Sequence, residues 1–69
     1  MIMANRPDYQ QRVIDEREQL AERLGRLERF VASPRFMELH RCDRFLLSAQ
    51  LGAMKQYEQL LQERIWRFD

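Results

Sequence analysis

Between Asp43 and Phe68 the chain carries two apolar stripes at helical spacing, and this doubling constrains the fold more than any other feature. Leu47, Leu51, Met54, Leu61, Ile65 and Phe68 recur at intervals of three, four and seven. On a helix of about 3.6 residues per turn they line one face. Leu46, Ala53, Tyr57 and Leu60, interrupted by Gln50, form a second stripe beside it. One stripe suffices for a helix that packs on a single neighbour. The other calls for a further surface, which a second subunit would supply, so Leu46, Ala53, Tyr57 and Leu60 are the expected oligomer interface.

Length sharpens that expectation. Sixty-nine residues make one domain, residues 1–69. A core this small is rarely worth more than about 3–5 kcal/mol, so such a chain needs staples or partners. Cys42 is the single cysteine and His40 the single histidine, which excludes an internal disulfide and a Cys/His metal cluster. Assembly into a dimer or higher homo-oligomer is the remaining route.

The first half of the chain reads as a second helix, about residues 6–32. Val13, Leu20, Leu24, Leu27 and Val31 share a face, with Ile14, Ala21 and Phe30 beside them and Tyr9 extending the face toward the start. The spacing is helical and does not alternate, which disfavours a strand. Asn5 is the expected N-cap, Pro7 falls in the first turn, and Asp8 suits the positive end of the helix dipole. Gly25 lies inside this run and marks a kink or a close helix approach. Asp8/Arg12, Arg12/Glu16 and Glu22/Arg26 have the four-residue spacing of ion pairs on a solvated face.

Ser33-Pro34 stops the helix, because a residue before proline is pushed out of the helical region. Pro34 can open a short helix, about 34–39, whose Phe36, Met37 and Leu39 cover the open end of a hairpin. Asp43 is the expected cap of the second long helix, about 43–68. If Ala32 and Asp43 are level, facing residues have numbers that sum to about 75. Leu24 then faces Leu51, Leu27 faces Leu47, and Tyr9 lies near Ile65 and Trp66. Arg17 and Glu58, the polar breaks in the two stripes, fall opposite one another and form a seam ion pair that sets register. The fold class is an all-α antiparallel two-helix hairpin with a short corner helix, oligomeric.

Chemistry is sparse. Nucleophilic catalysis needs a Ser or Cys within reach of a base, and Cys42 and His40, two apart at a corner, need not converge. Asp15, Glu16 and Glu18 spread around a helix and read as solvated, not as a metal site. Gly25 and Gly52 are isolated, so no phosphate loop is present. The expectation is a protein without catalytic residues, metal or cofactor. Net charge is +1, which argues against strong nucleic-acid binding. Eleven of the twelve basic residues are arginine, which suits planar contacts with phosphate or carboxylate, although a high-GC genome gives the same bias. No run is long and apolar enough for a membrane span, none has the make-up of a signal peptide, and a reduced thiol fits the cytosol.

Two arginine groups stand out. Tyr9 and Arg12 open the first helix and Trp66 and Arg67 close the second, so a hairpin brings these ends together. A ring beside a guanidinium can stack a base and grip a phosphate; alternatively, Tyr9 and Trp66 close the apolar seam. Around the corner, Arg35, His40, Arg41 and Arg44 form a local basic cluster suited to an anion.

The run Gln11-Arg12-Val13, Glu16, Leu20, Leu24, Leu27, Phe30, Phe36, Leu39, Leu46-Leu47, Gln50, Met54, Tyr57, Leu61 and Arg64-Ile65 resembles small uncharacterised helical proteins of tailed phages and prophages. The layout also looks like the helical hairpin of phage anti-CBASS and anti-Thoeris sponges. That resemblance implies an oligomer that sequesters a nucleotide immune messenger without catalysis and so antagonises bacterial defence. It transfers no ligand-binding residue, because no ligand motif matches position by position. Two alternatives remain open: an inhibitor that blocks a host defence protein such as a CRISPR complex, and a structural or regulatory phage protein.

Overall fold

A computed structural model describes residues 6–68. Helix α1 spans Asp8–Val31, a 3-10 turn spans Pro34–Glu38, and helix α2 spans Arg41–Trp66. The described residues contain no strand. The two helices lie antiparallel in a body 52 × 20 × 14 Å.

The caps differ from expectation. Pro7 sits one residue ahead of α1, not inside its first turn, and its carbonyl accepts from the N–H of Gln10 and Gln11 at 3.0 and 3.2 Å. The cap assigned to Asn5 lies outside the described residues. At the other end Ser33 is extended, as a residue before proline must be. Its hydroxyl donates back to the Phe30 carbonyl at 2.7 Å, and so does not cap the 3-10 turn. The cap of α2 is His40, not Asp43: Nδ1 accepts the Cys42 N–H at 3.0 Å. Helix α2 therefore starts two residues earlier than expected, and Asp43 falls in its first turn, where the dipole still favours a carboxylate.

The core is thin. Val13, Leu20 and Leu61 form the buried cluster, with Met54, Ile65 and Phe68 packed against it, and Leu61 is 1% exposed. The other expected seam residues, Leu24, Leu27, Val31, Leu47 and Leu51, are half-buried. At the corner Phe36 is buried edge-on to Phe30, ring centroids 6.0 Å apart. Leu39 is half-buried, but Met37 does not cover the hairpin: it is exposed, with Sδ 3.5 Å from Arg44 Nη1. Gly25 marks no close helix approach, since a Cβ there would meet only the Arg29 guanidinium at 3.5 Å.

Candidate ligand-binding surfaces

Arg17 and Glu58 meet across the seam. Arg17 Nη2 and Nε reach Glu58 Oε2 at 2.8 and 2.9 Å, both on the same oxygen. The pair is partly buried, so it is less screened than a surface pair, and its geometry ties one turn of α1 to one of α2. A second bridge between the helices, Lys55 to Glu28 at 3.3 Å, was not expected from spacing, because both residues lie on solvated flanks. Of the expected ion pairs within α1, Glu22–Arg26 forms at 3.7 Å; Asp8/Arg12 and Arg12/Glu16 do not.

At the open end, the start of α1 lies against the end of α2. Tyr9 packs edge-on against Phe68, centroids 6.1 Å apart, so Phe68 and not Trp66 closes the seam there. Trp66 is 69% exposed. It lies two positions past Arg64, about 160° around the helix. Arg12 is exposed and Arg67 is exposed. Tyr9, Arg12, Trp66 and Arg67 therefore lie at the same end of the hairpin, with Trp66 outside the seam.

Arg67 belongs instead to a shallow groove of about 400 Å³, lined by Tyr57, Leu60, Leu61, Glu63, Arg64 and Arg67. Two members, Glu63 and Arg64, escaped the sequence reading. Arg64 was legible in principle, because it continues the Tyr57–Leu60 spacing by one turn. An apolar floor edged by two guanidiniums and a carboxylate can hold an apolar or aromatic group with an anionic tail.

The corner cluster is looser than its sequence neighbourhood implies. Arg35, His40 and Arg41 are exposed. His40 has Nδ1 engaged as an acceptor in the cap. Arg44 is half-buried and its Nε has no hydrogen-bond partner.

The second stripe is left open by the lone chain. Leu46 is 62%, Tyr57 43% and Leu60 53% exposed, and Ala53 is exposed too. Among the described residues no three His, Cys, Asp or Glu side chains cluster as a metal-ligand set, and no helix is long and apolar enough to cross a membrane.

These features define a class: a small all-helical hairpin with a charged groove and an uncovered apolar stripe. The chain belongs to the Sequestin family, which it matches over residues 7–67. It is 35% identical over 60 residues to the uncharacterized 7.5 kDa protein in the denB-rIIB intergenic region of Enterobacteria phage T4. That alignment covers 87% of this chain and 94% of the phage protein. The resemblance to small helical phage proteins is thereby borne out. No solved structure matches the chain.

Proposed function

We propose that this chain is a non-catalytic phage accessory protein that antagonises bacterial defence by sequestering a nucleotide immune messenger in the host cytosol. The observation that carries the reading is membership of a family named for sequestration, with a phage relative of nearly the same length. The surface supports it. Tyr9, Arg12, Arg64 and Arg67 lie near one end, and arginine grips phosphate through paired N–H donors while a ring stacks a base. Sequestration needs affinity and a slow release, not chemistry.

The test is a thermal-shift panel of cyclic dinucleotides, cyclic oligonucleotides and ADP-ribose-type messengers. A binder raises the melting temperature and is released intact on heating. Arg12→Ala or Arg67→Ala should weaken binding tenfold or more, since a hydrogen bond to a charged group is worth about 1.5–3 kcal/mol. No shift anywhere in the panel ends this reading.

The exposed Leu46, Tyr57 and Leu60 favour one other reading, an inhibitor that blocks a host defence protein such as a CRISPR complex. Such an inhibitor co-purifies with its effector, and Tyr57→Arg abolishes the complex without lowering helix content.

A further inference from the structure

The net charge of +1 averages over two unlike ends. On α1 the stripe opposite the seam runs Asp8, Gln11, Asp15, Glu18, Glu22, Arg26 and Arg29 at steps of three and four, and all seven are exposed. Every carboxylate on that stripe precedes every guanidinium. The Arg17–Glu58 pair sets Arg23 level with Gly52, so the corner half of the hairpin is residues 23–52. That half holds Arg23, Arg26, Arg29, Arg35, Arg41 and Arg44 against Glu28, Glu38 and Asp43, a charge of +3. The rest of the chain, with six basic and eight acidic residues, carries −2.

Screening keeps the two ends apart. The Debye length is about 8 Å at physiological salt, and the body is 52 Å long. A ligand at the corner therefore meets the local +3 and not the average. The corner bases are also freer than the corner acids. Glu28 is held by Lys55 at 3.3 Å, which leaves Glu38 and Asp43. Arg23, Arg29, Arg35 and Arg41 are exposed and form no ion pair among the described residues.

These arginines follow the chain around the corner. Arg26 and Arg29 stand three apart on α1, Arg41 and Arg44 three apart on α2, and Arg35 lies in the turn between. Side chains at that spacing on a helix are neighbours, about 5–6 Å apart at Cβ. Phe45 sits one turn beyond Arg41, is 70% exposed, and belongs to neither aromatic pair of the described residues.

We infer that the corner end binds single-stranded nucleic acid, with the arginines on successive phosphates and Phe45 stacked on an unpaired base. A duplex offers phosphates but no free base face for the ring. An acidic peptide offers charge without a base to stack. The site lies at the opposite end of the hairpin from Tyr9, Arg12, Arg64 and Arg67, and does not depend on the messenger reading.

The test is fluorescence anisotropy with a fluorescein-labelled oligothymidylate of about 20 nucleotides, longer than a single-strand site of about 4–16. Affinity should fall about 50-fold between 50 and 200 mM salt if about four phosphates are held. Arg35→Glu with Arg41→Glu should weaken binding tenfold or more. Arg12→Glu with Arg67→Glu changes the net charge equally at the other end, and should leave strand binding within about twofold, since its charges lie beyond the screening length. Phe45→Ala should weaken binding about fivefold or more. Circular dichroism confirms that each variant keeps its helices. No anisotropy change at 50 mM salt, or equal loss in the two charge-reversed proteins, overturns the proposal. So does equal affinity for a duplex of the same length or for poly-L-glutamate, or an unchanged Phe45→Ala. A protein that binds the strand but no messenger overturns only the messenger reading.

Discussion

Leu61 is the residue on which the fold most depends. It is the most buried side chain and the α2 member of the central cluster with Val13 and Leu20. Leu61→Ala removes burial and leaves a cavity, at about 2–5 kcal/mol. That equals the whole worth of a core this small, so the variant should show little helical circular dichroism at 25 °C. Tyr9→Ala, at the open end of the same seam where the ring is 60% exposed, should lower the melting temperature far less. Arg17 and Glu58 teach a different lesson. Replacing Glu58 alone by Leu strands a half-buried guanidinium, whereas Arg17→Leu with Glu58→Leu leaves an apolar seam. We predict that the double variant is more stable than the Glu58→Leu single variant in urea unfolding; the opposite order would mean that the unpaired Arg17 guanidinium reaches water at little cost.

Each long helix carries one glycine, Gly25 in α1 and Gly52 in α2, and α2 opens on a side-chain cap. His40 is an unusual cap, since it needs Nδ1 unprotonated to accept the Cys42 N–H. His40→Asp keeps an acceptor and adds a charge that the helix start favours, so it should match or exceed the parent stability, whereas His40→Ala should cost about 1 kcal/mol. The midpoint of thermal unfolding decides between them. Gly52 has nothing within 4 Å of a built Cβ, and Gly25 only the end of the Arg29 side chain. Neither has a left-handed backbone. Gly52→Ala and Gly25→Ala should each stabilise by up to about 1 kcal/mol, from helix propensity alone. A loss at Gly52 would reveal a close approach by another chain.

For the whole molecule, an elongated hairpin with three residues in its central cluster has little with which to offset chain entropy. Stability should therefore be coupled to assembly, and the melting temperature should rise with protein concentration. Tyr57→Arg should remove that dependence and leave a less stable single chain, read by sedimentation and circular dichroism on the same samples.

Much of this was determined by the sequence alone. Apolar spacing carried both helices and the seam between them, because burial on a helix imposes a period of about 3.6 that residue order displays directly. Ser33-Pro34 marked the turn, because the proline ring restricts its neighbour whatever surrounds it. Tertiary structure decided what depends on side-chain direction and competition for one space. Phe68 and not Trp66 closed on Tyr9, Met37 turned outward while Phe36 took the corner, and His40 capped α2 ahead of Asp43. Arg64 continues the Tyr57–Leu60 spacing by one turn, but Glu63 lies off it, and only the side-chain directions at the end of α2 bring it into the groove with Arg67.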